Sequence, residues 1–451
     1  MQPLTQNFVK MSNRFIPHTE EDIRVMLDRI GVQSVDDLYD DIPAEVIFKE
    51  DYDIPSAMSE MELRRHFSEL GAKNRTLKVF AGGGVYDHYS PSVISHLLSR
   101  SEFYTAYTPY QPEISQGTLQ YIFEYQTMMC EMTGMDVSNA SMYDGTTATA
   151  EAMLMCVAAA RKRNRVLVSS TLNPAVRRVI ETYAHYHGVV IDEIPNHGGV
   201  ASRDALADML AKGDVAGVIA STPNFYGILE DLSGWADLCH QAKALLVIHT
   251  VPADLAVIKT PGEWGADIAV GDGQSLGMPL SYGGPYLGFI CCTKALMRKL
   301  PGRIVGATTD DAGQRTFVLT LQAREQHIRR DKATSNICSN QGLMALYAAV
   351  YMATLGPKGL REVAEKGYHG AHYLADRLQA TGKMRLAFPE DPFLNEFVMH
   401  CDFDIDEFIA RCVAAGILPG VKIAPDRMLI AVTEMQSRSQ MDELVKIVES
   451  M

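Results

Sequence analysis

The densest group of chemically active side chains lies in a basic segment near residue 330. Positions 324–332 carry five such residues, Arg324, His327, Arg329, Arg330 and Lys332. Small polar residues follow directly at 334–336. A run of charges is usually a solvated helix face, but this one is basic in a chain of net charge −14. We therefore predict the wall of an anion-binding cleft or a subunit contact, with candidate lining residues Arg324, His327, Lys332 and Asn336.

Two further segments place aromatic and imidazole side chains where a ligand could contact them. Residues 103–117, FYTAYTPYQPEISQG, contain four tyrosine or phenylalanine residues and two prolines, so regular secondary structure is not expected. Aromatic loops more often pack inward than line a cleft, and Tyr107 and Tyr110 are our candidates if this loop lines one. Three consecutive glycines at 82–84 predict a loop that another group approaches closely. The residues that follow this loop, Tyr86 and His88, are candidates for the same cleft.

A glycine-threonine turn opens the alanine-rich helix predicted to begin at Gly145. Free N–H groups and the positive end of the helix dipole at such a start favour a bound phosphate. Asp144 precedes the turn, however, and a carboxylate there stabilises the helix start and repels a phosphate. We predict an acidic helix cap at Asp144, with phosphate binding as the alternative.

The stretch from Asp267 to Phe289, DIAVGDGQSLGMPLSYGGPYLGF, has the pattern of a strand, a tight loop and a second strand. Apolar runs flank a glycine-rich turn, and glycine allows backbone angles that other residues avoid. The turn carries Gln274. Its amide can make hydrogen bonds, but it has no nucleophilic amine and cannot form a Schiff base.

Alternating strands and helices predict the scaffold that positions these segments. The apolar runs VLVSS, VVIDEI, VAGVIAS and LLVIHT alternate with amphipathic helices, one of which opens at Asn173-Pro174 and ends at Gly188. This alternation predicts an α/β fold whose central sheet is mostly parallel, with helices on both faces. We expect a helical arm or layer at 1–80, a large α/β domain at 81–365 and a small C-terminal α/β domain at 366–451.

Composition and charge limit the function classes. The pI of about 5.4 disfavours nucleic acid or an anionic membrane as a main partner. Eight scattered cysteines without a CxxC motif indicate neither a zinc site nor a redox pair, and they favour a reducing cytoplasm. The pairs His185/His187 and His369/His372 lack supporting carboxylates or thiols, so no metal is expected.

These motifs resemble those of glycine decarboxylase, the P-protein of the glycine cleavage system. The most specific segments are TPYQPEISQG, NASMYDG, the Gln274 loop and REQHIRRDKATSNIC, within a resemblance that extends from Arg14 to the C-terminal helix. The resemblance implies the aspartate-aminotransferase-like architecture, fold type I, of pyridoxal-phosphate (PLP)-dependent transferases. In the PLP-carrying half of the family a lysine lies eleven residues before the proline of a Gly-Gly-Pro, and the corresponding position before Pro285 is Gln274.

A second PLP anchor is also missing. In such folds the strand that corresponds to LLVIHT ends in an aspartate that pairs with the pyridine nitrogen of PLP. Residues 249–251 hold no acid, and Asp254 comes slightly later. The resemblance thus implies the subunit of a two-subunit glycine decarboxylase that lacks the cofactor lysine and has no covalent catalyst of its own.

The resemblance also implies the partners. PLP is expected on a second subunit rather than bound covalently here, in an α2β2 assembly. There glycine would lose CO2, and its aminomethyl group would pass to the lipoyl arm of the H-protein. Nothing in the sequence indicates a nucleic-acid or membrane partner.

Two alternatives remain open at this point. A self-sufficient PLP decarboxylase or aminotransferase needs a lysine, and Lys259, Lys294 and Lys332 do not follow a strand into a glycine-rich turn. A non-catalytic scaffold or regulatory subunit of PLP-fold descent needs no lysine. The polar, aromatic and basic segments described above disfavour that second alternative.

Overall fold

The computed structural model describes residues 17–48, 50, 52–160, 162–324, 326–333, 335 and 337–451. The side chains of Arg324 and His327 lie outside this description. The described chain divides after Asn74 into two compact units. No helix of the described residues is long and apolar enough to cross a membrane.

The first unit contains two amphipathic helices, Glu20–Ile30 and Glu60–Gly71, and a 3-10 turn at Asp36–Tyr39. Thr19 and Ser59 cap the two helices through capping boxes, as their sequences predict. None of the described residues from 17 to 74 is buried. This unit therefore forms helices without a core of its own.

The second unit, Arg75–Met451, is built around a central sheet that has seven strands in the described residues. Its five parallel strands confirm the predicted sheet type, and two antiparallel strands complete one edge. In spatial order the strands are Val137–Ser138, Gly288–Cys292, Ile268–Asp272, Leu245–His249, Val215–Ser221, Arg165–Ser169 and Val190–Ile194.

Helices cover both faces of this sheet, because successive strand residues point to opposite sides. Val168 and Val247 pack in the core cluster that contains Gly145–Ala160 and Pro174–His187, whereas Leu167 and Ile248 pack in the other. The second face carries Arg203–Leu210 and Trp235–Gln241. The helix Gln116–Thr133 packs with the first part of the long helix Gly342–Ala380 in a third cluster.

A second sheet lies near the C-terminus, and its four described strands are antiparallel. Helices Ile405–Ala414 and Arg438–Glu449 pack on it together with the last part of Gly342–Ala380. That long helix crosses residue 365 and has one non-helical residue, Gly356. The strands, in spatial order, are Met384–Leu386, Glu396–Cys401, Arg427–Ala431 and Val421–Ala424.

Short elements complete the unit. Lys78–Val79 pairs with Ile417–Leu418, Ile304–Thr309 with Arg315–Thr320, and Asn196–His197 with Val200–Ala201. The remaining helices and 3-10 turns are Ser92–Leu98, Ser101–Tyr104, Asp254–Ala256, Gly273–Ser275, Ser281–Gly283, Lys294–Lys299, Gln322–Arg324, Gln326–Arg329 and Arg330–Lys332. The expected lack of regular structure at 103–117 holds for 105–115, but both ends of that segment lie in helices because Ser101–Tyr104 and Gln116–Thr133 extend into it.

Candidate functional site

Gln274 is a buried structural residue at the end of a central strand. It follows Ile268–Asp272 in a 3-10 turn, as the strand-and-loop pattern predicted, and its side chain is 0% exposed. Its Oε1 accepts a hydrogen bond from Tyr86 N at 2.8 Å, and its Nε2 donates to Tyr86 O and Met278 O, both at 2.7 Å. A lysine could not accept from the Tyr86 N–H. Gln274 therefore ties the loop after the three glycines to the central sheet.

Tyr86 belongs to a buried acidic group that the sequence did not reveal. Its hydroxyl donates to Glu396 Oε2 at 3.0 Å, and the other oxygen of Glu396 accepts from Gly83 N at 2.6 Å. Burial raises the pKa of Glu396 to about 7. Burial, with the nearby Glu396 carboxylate, raises that of Asp254 to about 8. A Cβ on Gly82 would lie 2.0 Å from Glu396 Oε1, so only glycine fits there.

His88 makes a buried hydrogen bond with a carboxyl group next to this group. Its Nδ1 lies 2.8 Å from Glu434 Oε2, and Glu434 Oε1 accepts from Tyr89 N at 2.7 Å. The rings of Tyr86 and His88 lie 6.4 Å apart, centroid to centroid. The structure thus brings two of the predicted residues, Tyr86 and His88, together with Gln274.

The start of the helix Gly145–Ala160 is occupied by carboxylates of the chain itself. Asp144 Oδ1 accepts from Thr147 N at 2.8 Å, which confirms the predicted acidic cap. Asp272 Oδ2 accepts from Gly145 N at 2.9 Å, and burial raises the pKa of Asp272 to about 6. A Cβ on Gly145 would approach Asp272 N to 2.7 Å, so glycine permits this contact. Two of the N–H groups that could hold a phosphate are therefore already used.

The end of the strand Leu245–His249 offers no anion to a pyridine nitrogen. His249 is half-buried, its Nδ1 lies 3.0 Å from Thr149 Oγ1, and burial lowers its pKa to about 4. Together with Gln274 and the occupied helix start, this neutral imidazole shows that the residues present do not fit a covalently bound PLP.

A second polar cluster forms around Arg303, which sequence reasoning missed. Arg303 is 4% exposed, and its Nη2 donates to Cys338 O at 2.7 Å. Its Nη1 donates to Asn340 Oδ1 at 3.3 Å, and its guanidinium carbon lies 5.5 Å from the centre of the Tyr110 ring. The signal available in the sequence was a charged residue directly before the strand Ile304–Thr309. Arg303 thus joins Tyr110 of the TPYQPEISQG segment to Cys338, the last residue of the REQHIRRDKATSNIC segment.

The NASMYDG segment connects the two clusters. Asn340 Nδ2 donates to Ser141 Oγ at 3.1 Å, on the Arg303 side. A few residues later Asp144 caps the helix whose first N–H binds Asp272, and Asp272 Oδ1 also accepts from Gln274 N at 2.9 Å. The segments that carry the family resemblance are therefore joined by hydrogen bonds in the folded chain.

The other predicted residues are not part of the group that Gln274, Tyr86 and His88 form. Tyr110 lies beside Arg303, whereas Tyr107 is 81% exposed and Lys332 is exposed at the end of its 3-10 turn. Asn336 and the side chains of Arg324 and His327 lie outside the described residues. Within the described part of the chain, no group of three or more histidine, cysteine or acidic residues could hold a metal ion.

Solved structures place this fold in a known class. A glutamate decarboxylase from Lactobacillus brevis matches with a TM-score of 0.66 over 90% of this chain and 95% of that chain, at 12% identity. At this identity the match shows the fold alone. The chain has the fold type I architecture of PLP-dependent enzymes, which confirms the predicted fold class.

More similar proteins define the family. The crystal structure of glycine decarboxylase (P-protein) of the glycine cleavage system, in inhibitor-bound form, matches with a TM-score of 0.89 and 43% identity over 96% of this chain and 99% of that chain. A Geobacillus thermodenitrificans protein named probable glycine dehydrogenase (decarboxylating) subunit 1 is 50% identical over 96% of this chain and 98% of its own length. The glycine cleavage system P-protein model matches residues 13–448. The chain belongs to the glycine cleavage system P-protein family.

Proposed function

We propose that this chain is subunit 1 of a two-subunit glycine dehydrogenase (decarboxylating), and that it acts without a Schiff-base lysine of its own. The observation that carries the proposal is Gln274, whose amide occupies the position expected for the lysine and is hydrogen-bonded on both sides. Relatives over nearly the whole chain are named subunit 1 of this enzyme. A subunit 1 implies a second subunit, and we assign PLP to it.

In the proposed reaction PLP on the partner would supply the electron sink for decarboxylation of glycine. The aminomethyl group would then pass to the lipoyl arm of the H-protein. We propose an α2β2 assembly in the cytoplasm, and the eight cysteines, none of which forms a disulfide, support a reducing compartment. This chain would shape the cleft and the lipoyl entry path, with candidate contributions from Tyr86, His88, Tyr107, Tyr110, Arg324, His327, Lys332 and Asn336.

We further propose that the helical unit before residue 75 binds the partner subunit. Its helix Glu60–Gly71 presents Leu63, Phe67 and Leu70 at helical spacing, and they are 45%, 62% and 41% exposed. A helical unit without buried residues gains stability only when an apolar face is covered. A permanent partner would cover this face.

The first test is reconstitution. The purified chain, the PLP-bearing subunit and lipoylated H-protein are assayed separately and together by exchange of the glycine carboxyl carbon with labelled bicarbonate. We expect exchange only when both subunits are present. Exchange by this chain and H-protein alone, without the second subunit, would contradict the proposal.

Two variants separate assembly from the cleft. Leu63→Glu with Phe67→Glu should weaken association of the subunits at least tenfold, whereas Arg65→Glu on the opposite helix face serves as the matched control. Arg324→Ala with His327→Ala should lower exchange activity while assembly stays normal. Unchanged activity in that second variant would remove both residues from the proposed cleft.

A further inference from the structure

Arg303 is a buried cation without an anionic partner among the described residues. Its hydrogen-bond acceptors are neutral: the Cys338 carbonyl, the Asn340 amide and, at 3.4 Å, the Tyr110 hydroxyl. Its Nε–H has no hydrogen-bond partner in the described structure. Burial of a guanidinium is strongly unfavourable unless a negative charge or a full set of hydrogen bonds replaces water. Among the described residues, Arg303 therefore lacks an acceptor for its Nε–H and a negative charge to balance its own.

Arg303 lies in the wall of an open cleft between residues 298–303 on one side and residues 335 and 337–340 on the other. The cleft is open, and the space of about 470 Å³ between its walls includes open solvent. Two more cations, Arg298 and Lys299, lie in the same wall, and no aspartate or glutamate is among the described lining residues. Three cations, with no carboxylate among the described lining residues, make this cleft electropositive in a protein of net charge −14.

One carboxyl group, that of Glu151, contacts this wall, but it balances the positive charge of the three cations only in part. Ser335, which lines the cleft, donates its hydroxyl hydrogen to Glu151 Oε1 at 2.9 Å. Burial raises the pKa of Glu151 to about 7, so at neutral pH this group carries less than a full negative charge. The positive charge of the wall remains available to a ligand.

We propose that this cleft binds a small oxyanion, either a carboxylate or a phosphate ester, on the guanidinium of Arg303, with Arg298 at the rim. Arginine presents paired N–H donors that match the oxygens of both groups. The site differs from the helix start at Gly145, whose N–H groups are bound by Asp144 and Asp272. It depends on residues of this chain alone and does not require the proposed subunit partnership.

Cys338 provides a probe inside the cleft. It lines the cavity and is the exposed cysteine, whereas the other seven are buried or half-buried. Alkylation of Cys338 in the full-length chain by iodoacetamide is followed by peptide mass spectrometry, with inorganic phosphate, acetate or sodium chloride added at equal ionic strength. A bound oxyanion should slow alkylation saturably, by about tenfold at ten times the half-protecting concentration.

The variants identify the cation responsible. Arg303→Met should abolish protection, and Arg298→Ala should raise the half-protecting concentration by about threefold or more. Arg178→Ala, an exposed arginine on the helix Pro174–His187, should leave protection unchanged. Thermal melting shows whether Arg303→Met is folded, and if it is not, Arg298→Ala decides the question.

Both anions are informative. Protection by phosphate but not acetate assigns the cleft to phosphate esters, and protection by both assigns it to oxyanions in general. The proposal is overturned if phosphate, acetate and chloride give the same alkylation rate at equal ionic strength. It is also overturned if folded Arg303→Met, or Arg298→Ala where Arg303→Met does not fold, is protected like the native chain.

Discussion

The substitution Gln274→Met tests whether the amide of Gln274 holds the loop against the sheet. Methionine has a similar volume but makes none of the three hydrogen bonds at 2.7–2.8 Å. The buried Tyr86 N–H, Tyr86 C=O and Met278 C=O then lose their partner. At about 1 kcal/mol or more for each unsatisfied buried group, unfolding becomes easier by about 3–5 kcal/mol.

That free energy corresponds to a measurable shift in melting temperature. The unfolding entropy of the unit Arg75–Met451 is about 0.8 kcal/mol/K for its size, so the melting temperature should fall by about 4–6 °C. Differential scanning calorimetry of the full chain measures this. Gln120→Met is the matched control. Among the described residues the side chain of exposed Gln120 bonds Glu124 alone, and its loss should change stability by less than about 0.5 kcal/mol. A Gln274→Met melting temperature within 1 °C of the native value, roughly the size of the control effect, would refute the assigned role.

Three further predictions follow from the same contacts. Gln274→Lys should be destabilised like Gln274→Met. It should also give no visible band of lysine-bound PLP, because Asp144 and Asp272 still occupy the helix start. A stable band would contradict the conclusion that the residues of this chain do not fit PLP. Asp144→Ala should lower the free energy of unfolding by about 1 kcal/mol through loss of the cap, whereas Asp144→Asn should retain most of it, as thermal melting can measure. Burial raises the pKa of Asp254 from 3.8 to about 8, so this group binds its proton more tightly in the folded chain than in the unfolded chain. Below pH 4 it therefore leaves the free energy of unfolding unchanged, and between pH 4 and pH 8 it lowers that free energy increasingly. Asp254→Asn should therefore reduce the fall in stability between pH 5 and pH 8, by up to about 1.4 kcal/mol per pH unit, whereas the control Asp237→Asn, at an exposed position, should not. Equal slopes of stability against pH in both variants would contradict the effect assigned to the burial of Asp254.

Features that depend on local sequence were predictable. The strand, glycine turn and second strand around Gln274 follow from apolar runs and glycines that lie within a few residues of one another. The acidic cap at Asp144 follows in the same way from the helix start beside it. The mostly parallel sheet follows from the alternation of strands and helices, which any parallel arrangement requires.

Features that depend on distant contacts were not predictable from the chain alone. Gln274 and Tyr86 are 188 residues apart, and Tyr86 and Glu396 are 310 apart, so no spacing indicates that they meet. Arg303 was missed for the same reason, because its burial results from Tyr110, Cys338 and Asn340. Local patterns identify the residues of each segment, but the packing of segments decides which side chains share a site.

We propose that this chain works without covalently bound PLP and depends on a partner subunit that carries the cofactor. The most direct measurement is the absorbance spectrum of the purified chain mixed with PLP, taken before and after addition of the second subunit, with glycine exchange assayed in parallel. We expect no band of lysine-bound PLP from this chain alone, and exchange activity only after mixing. A stable band that survives dialysis of the isolated chain would mean that another lysine binds the cofactor, and it would contradict this proposal.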